Sequence, residues 1–236
     1  MLSPTVLIIA FIALYTVITV CYLFSETSGN FALRAVNKIG LAALYLLIFC
    51  FAFFKFDYMG TQGTYQIVAL IGFALAFLGD VVLLWSFIVG GALFAAGNVA
   101  LFVYELMVLS KNGIPFSDYW WFLLIFLAPV FYLFTQHFTK RVDFGKLGVG
   151  MPIYIATVSL QGCGGFAMMA NAHALQAAGA GTYLHFTVFG AGLFFFMVSD
   201  YFLTAHEYVN KHDWVLRCNS FCYFIGIMLA AISFAF

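Results

Sequence analysis

The sequence predicts an all-α fold, a polytopic membrane bundle of about eight transmembrane helices. Three observations predict it. Apolar residues make up 65% of the 236-residue chain and charged residues only 8%, far from the balance of a water-soluble domain. Apolar runs of about 20 residues, the length that carries a helix across a bilayer, recur along the whole chain. Polar or glycine-containing breaks separate these runs, and none is long enough to bury a core of its own. Residues 1–236 therefore read as a single integral-membrane domain.

The elements follow in order. The first span, 5–24, has neither a basic leader nor a small-residue cleavage site, so it reads as a retained helix and not as a signal peptide. The polar stretch 25–30 precedes the second span, 35–56, and the Gly/Thr-rich stretch 59–64 precedes the third, 65–86. The fourth span, 88–109, almost touches the third, with the turn placed near 85–91. A segment with Asn112-Gly113 and Pro115 leads to the fifth, 119–135. The basic stretch 136–146 leads to the sixth, 147–170, and the small, uncharged stretch 171–182 to the seventh, 183–205. The charged stretch 206–213 leads to the last span, 214–236.

Lysine and arginine set the expected orientation. Arg34, Lys38, Lys140, Arg141, Lys146, Lys211 and Arg217 fall on the side reached by odd-numbered spans, and only Lys55 and Lys111 fall on the other. The positive-inside rule puts the first group in the cytoplasm and both termini outside it. Net charge is zero, so no nucleic-acid partner is implied. Cys21, Cys50, Cys163, Cys218 and Cys222 lack zinc spacing and read as buried free thiols. The histidines show no HExxH pattern, so no metal site is expected.

Two aspartates stand inside spans that should exclude them. Asp80 lies in LIGFALAFLGDVVLLWSF and Asp200 in VFGAGLFFFMVSDYFLTA. Carboxylates in hydrocarbon are costly and mark functional sites or polar interiors. Their settings match: each follows a small residue (Gly79, Ser199), and a glycine stands eight residues upstream (Gly72, Gly192). Both fall late in spans that run toward the expected cytoplasmic side, the side where Lys38, Lys146 and Arg217 open their helices. A site opening toward the cytoplasmic leaflet is the expectation.

A short internal similarity points the same way. Asn37-Lys38-Ile39-Gly40-Leu41 resembles Gly145-Lys146-Leu147-Gly148-Val149, and each is followed by a tyrosine, Tyr45 or Tyr154. Asn98 and Asn219 occupy the helices after the two aspartates. The pattern predicts two four-helix halves in the same orientation with the site between them. Bland readings stand beside each residue. The aspartates could be helix-packing glue, Asn98 a buried structural amide, and Lys38, Lys146 and Arg217 snorkelling anchors. Glu105, near the opposite interface, is expected to be solvated.

The run GFALAFLGDVVLLWSFIVGGALFAAGNVALFVYEL resembles the central signature of the YhhN-like lysoplasmalogenase family: a Gly-Asp late in one helix, a short turn, then a Gly-rich helix with a mid-helix polar residue. FGAGLFFFMVSDYFLTAHEY is similar to its second, Ser-Asp signature, and Tyr223 in FCYFIGIMLA matches an aromatic of the last helix. Lys38 matches a basic residue near the start of the second helix. The likeness spans nearly the whole chain. Two positions depart from it: Asn98 stands where the family usually has His, and Ile39 where it has Pro after the lysine.

The resemblance implies hydrolysis of the vinyl ether of a lysoplasmalogen, lysoplasmenyl-ethanolamine or -choline, to a fatty aldehyde and a glycerophospho-base. Vinyl ethers resist bases but open when an acid protonates the β-carbon, leaving an oxocarbenium ion that water attacks. That chemistry needs one protonated carboxyl and one carboxylate, the division of labour glycosidases use at acetals. Asp80 and Asp200 would fill these roles. Lys38, Asn98, Ser199, Tyr154, Arg217, Asn219 and Tyr223 would line the substrate, with Lys38 and Arg217 toward the phosphate. A single-chain lysophospholipid drawn from the surrounding membrane lipid is the implied partner, and no cofactor is required. Two other classes stay open: a proton-coupled transporter using the same aspartates, and a zinc-dependent membrane hydrolase, for which this chain lacks a His-xxx-His pair.

Overall fold

The structure, a computed structural model, describes residues 4–55, 65–145, 148, 150–209 and 211–236. Among them the chain is helical and contains no strand. The helices are α1 (Pro4–Ser25), α2 (Phe31–Lys55), α3 (Tyr65–Leu83), α4 (Phe87–Lys111), α5 (Trp121–Phe126), α6 (Ala128–Phe138), α7 (Gly150–Ala170), α8 (Ala172–Ala177), α9 (Tyr183–Tyr208) and α10 (Asp213–Ile232). Eight spans are long and apolar enough to cross a membrane, with α5 and α6 together making the fifth. This is the predicted architecture.

Local chemistry sets the boundaries. Asn30 Oδ1 accepts the Leu33 amide at 3.1 Å and so caps α2. Ser86 Oγ accepts the Val89 amide and caps α4, which ends α3 at Leu83, three residues short of the expected 86. Thr182 Oγ1 does the same for α9 through the His185 amide. Pro129, at the start of α6, lacks an amide hydrogen and its ring crowds the preceding turn, so the fifth span breaks at Leu127 instead of running straight. The stretch expected to be a plain loop before the seventh span folds into the short α8. Lys146, Leu147 and Val149, one half of the internal similarity, lie outside the described residues, as does the 59–64 break.

Side chains sort by face. On α2, Leu41, Tyr45, Ile48, Phe49 and Ala52 are buried at helical spacing, whereas Val36, Leu47 and Phe54 are exposed to what would be lipid. The outer surface is apolar throughout, with Ile9, Val17, Phe24, Ile125 and Phe131 all exposed. One aromatic cluster holds the middle: Phe49 stacks on Phe73 with ring centroids 4.4 Å apart, and Phe234 meets Phe49 edge-on at 4.7 Å. Cys163 is buried, but Cys21 is exposed and the other three cysteines are partly so, since most sit on lipid-facing arcs of their helices.

The two matched glycines do matched work. A Cβ on Gly72 would strike Leu101 of α4, and one on Gly192 would lie 2.6 Å from the Gly226 carbonyl oxygen of α10. Missing side chains let α3 meet α4 and α9 meet α10 at backbone distance, and these two pairs pack most extensively. In each pair the aspartate sits about two turns beyond the glycine. Further contacts run antiparallel between α7 and α9, where Gly162 meets Met197 and Ser159 Oγ lies 2.9 Å from the Tyr201 hydroxyl.

Candidate active site

The space between these helix pairs is a cavity of about 350 Å³, open at the end of the bundle formed by the turns after α1, α3 and α9. Asp80 and Asp200 both line it, close enough for their charges to interact. Each is almost fully buried. Asp80 is heavily held. The Tyr223 hydroxyl donates to its Oδ2 at 2.5 Å, the Tyr45 hydroxyl donates to the same oxygen at 3.2 Å, and Lys38 Nζ lies 3.5 Å from Oδ1. Two donors and a cation are the surroundings of an anion.

Asp200 is held differently. Among the described residues it makes no ion pair, and its Oδ2 is buried with no hydrogen-bond partner. The Tyr154 hydroxyl lies within reach of the carboxyl. Its own backbone carbonyl accepts from Thr204 Oγ1 one turn on. Asp80 Oδ1 also lacks a hydrogen bond, but Lys38 lies beside it; Asp200, with no ion pair among the described residues, has room for a proton.

The other expected site residues divide. Lys38, Tyr154, Asn219 and Tyr223 line the same cavity. Ser199, Asn98 and Arg217 are not on its wall. Ser199 is fully buried and donates back to the Phe196 carbonyl, which neutralises it inside its own helix. Asn98 is buried in α4 with its amide nitrogen unpartnered among the described residues. Arg217 is exposed and donates to Thr27 Oγ1 at 2.9 Å, tying α10 to the first turn. Sequence reading missed Tyr22, Glu26, Arg34, Tyr45, His206 and Ser220. For Tyr45 a signal existed: it stands two helical turns after Lys38 on one face of α2. Glu26 and Ser220 gave none, because they meet only when α1 and α10 pack.

A second, apolar pocket of about 270 Å³ adjoins the first and shares Leu83, Phe87, Phe94, Tyr154 and Leu203 with it. Its remaining lining includes Ile88, Gly91, Ala95, Met151 and Ile153, between α4 and α7. Of these, Ile88 and Ile153 are also on the exposed outer surface, so the pocket reaches the lipid-facing side. The two compartments together have one charged end and one greasy end.

Glu105 corrects the expectation of a solvated residue. It is fully buried, and neither carboxylate oxygen has a hydrogen-bond partner among the described residues. The reason lies on α7: Gly164 presents bare backbone, and the Glu105 carboxylate fills the space where a Cβ would be. The histidine outside the cavity in the bundle interior, His185, donates from Nδ1 to the Ser233 carbonyl at 2.9 Å and faces the Tyr104 hydroxyl through Nε2, an internal brace.

The YhhN family model matches residues 33–234. The chain belongs to the YhhN family. The match takes in every helix from α2 through α10 and both aspartate motifs. No curated protein and no solved structure matches the chain.

Proposed function

We propose that the chain is a lysoplasmalogenase-type hydrolase that opens the vinyl ether of a single-chain lysophospholipid. Membership of the YhhN family suggests a hydrolase of this kind. The observation that carries the reading is the joined cavity: two buried carboxyls in a polar compartment that continues into an apolar pocket. A lysolipid has the same division, with the ether oxygen at the junction of head and chain. The single chain would lie along Phe87, Ile88 and Ile153, entering sideways from the membrane.

The unequal settings of the carboxyls suggest their roles. Asp200, with its unpartnered oxygen, is the acid that delivers a proton to C2′ of the double bond. The electron pair of the double bond takes that proton, and positive charge develops at C1′ and the ether oxygen. Asp80, kept anionic by Lys38, Tyr45 and Tyr223, faces that charge at no reorganisation cost. Water then adds to C1′ and returns a proton to Asp200. The hemiacetal collapses to a fatty aldehyde, and the ether oxygen leaves on the glycerol as a hydroxyl. One water is consumed and the acid is regenerated.

By the lysine and arginine distribution the cavity mouth faces the cytoplasm in this proposal. The test is aldehyde release by the purified protein from a lysoplasmenyl lipid and from its saturated alkyl-ether analogue. Release from the first alone supports the reading, because only the vinyl carbon can accept the proton. No release, with uncleaved lipid crossing proteoliposome membranes in an Asp80-dependent manner, would establish a transporter instead.

A further inference from the structure

At the cavity mouth two opposite charges line the same wall without pairing. Glu26, in the turn after α1, and Arg34, in the first turns of α2, both line the main cavity. They also line a small side pocket of about 70 Å³ together with Gly29, Asn30 and Phe31. Their charges interact, yet among the described residues neither makes an ion pair. Opposite charges on one partly buried wall tend to close into a bridge, since attraction grows as water is excluded. Here Glu26 is restrained from doing so. Its Oε1 accepts the Ser220 hydroxyl at 2.5 Å and the Tyr22 hydroxyl at 3.2 Å, which anchor the side chain to α10 and α1. Oε2 is buried and has no hydrogen-bond partner. Lys38, the next cation on the wall, is engaged with Asp80.

A held carboxylate and a guanidinium that line one small pocket without an ion pair fit a ligand that carries both signs at short separation. We infer that Glu26 and Arg34 form a head-group subsite for an aminophosphate, Arg34 binding the phosphate and Glu26 the primary ammonium of an ethanolamine-type head. The planar guanidinium suits phosphate oxygens. The vacant Oε2 requires a hydrogen-bond donor, which a primary ammonium supplies and a quaternary ammonium does not. The small volume of the side pocket favours the same head group. This rests on the proposed vinyl ether reading for its substrate but concerns a different part of the cavity.

The full-length protein in detergent micelles tests it with three substrates that differ only in head group: lysoplasmenyl-ethanolamine, -choline and -glycerol. Losing one charge-assisted hydrogen bond should lower kcat/KM of Glu26→Gln on the ethanolamine form by about 10- to 100-fold, with less than about 3-fold change on the other two. Arg34→Gln should lower all three. Equal loss on all three substrates in Glu26→Gln, or no loss on any, overturns the subsite. Saturated alkyl-ether lysolipids with the same three head groups, scored by binding in a thermal-shift titration, separate this from the chemistry. If no substrate yields aldehyde, the vinyl ether reading fails, while Glu26-dependent binding of the ethanolamine lipid still supports the subsite and its absence still refutes it. Should Glu26→Gln not fold, Glu26→Asp, which keeps the charge but withdraws it by one methylene, is expected to weaken binding of the ethanolamine lipid selectively, and unchanged binding overturns the subsite.

Discussion

The Tyr223 hydroxyl on α10 and the Asp80 carboxylate on α3 are joined at 2.5 Å, across the seam between the two most closely packed helix pairs. The bond links the last helix to the first aspartate motif. It is one of two tyrosine donors to Oδ2, the other being Tyr45 at 3.2 Å. Hydrogen bonds to a charged group are worth about 1.5–3 kcal/mol. Tyr223→Phe should therefore lower kcat/KM for aldehyde release by about 10- to 100-fold. A variant with wild-type turnover would remove Tyr223 from the site.

Asp80→Asn and Asp200→Asn should each abolish turnover while leaving a folded protein. Their effects should differ in kind. Asp80→Asn leaves Lys38 without its carboxylate partner at 3.5 Å and should also lower stability, because a half-buried ammonium loses its counter-charge. Asp200→Asn removes no ion pair and should melt close to wild type. Detergent-solubilised melting temperatures alongside aldehyde assays check both. Full activity in either variant would refute its assigned role.

Head-group preference should depend on pH through Glu26. Burial pushes the Glu26 carboxyl above its ordinary range, partly offset by hydrogen bonds from Ser220 and Tyr22 and by the charges of Lys38 and Arg34. A carboxyl is charged above its pKa, so the preference for ethanolamine over glycerol head groups should be full at higher pH. It should fall as pH drops through the raised value. Tyr22, Arg34, Lys38, Asp80, Asp200, His206 and Glu207 share the wall, and Glu26→Gln separates their contribution to the ratio from that of Glu26. The ratio measured from pH 4 to 8 should slope in wild type and stay flat in Glu26→Gln.

Two glycines should respond oppositely to alanine. A Cβ on Gly192 meets backbone atoms of Gly226 and Ala230, so α9 and α10 must separate, and overpacking of this sort costs about 1–3 kcal/mol. Gly40, in α2, has nothing within 4 Å of its Cβ position, and alanine there should be stabilising by about 0.5–1 kcal/mol. Thermal unfolding of the two variants measures the contrast. Equal responses would mean that the close approach at Gly192 does not hold the pair together.

Glu105 should be dispensable for catalysis and replaceable without loss of stability. It lies on the wall of neither compartment, and among the described residues it has no hydrogen-bond partner to lose. Glu105→Gln keeps the shape against Gly164 and removes a group that is costly to ionise when buried. Melting at or above the wild-type temperature with unchanged aldehyde release is the expected result. A large drop in either would point to a role for this carboxylate that its surroundings do not reveal.

Much was legible in the sequence because lipid imposes a one-dimensional rule. A helix must satisfy its own backbone and present apolar side chains over a fixed length, so spans, breaks and the forbidden aspartates could all be read along the chain. Even Gly72 and Gly192 were visible as a matched pair, although not as the points where helices touch. What failed to read correctly was burial. Glu105 was placed by depth along its helix, but which arc of a helix faces a neighbour is decided by packing, and Gly164 on another helix buries it.

Hydropathy read along the chain sufficed for the eight spans, the all-helical membrane class and the two carboxyls that hydrocarbon would not tolerate without a reason. How those carboxyls differ emerged from packing. Tyr45, Tyr223 and Lys38 converge on Asp80 from α2 and α10, while among the described residues Asp200 makes no ion pair. Packing also decided that Glu26, Ser220 and Arg34 meet at one mouth. Hydropathy is a property of neighbours along the chain, whereas a carboxyl's hydrogen bonds and counter-charges come from residues as far as 194 positions away.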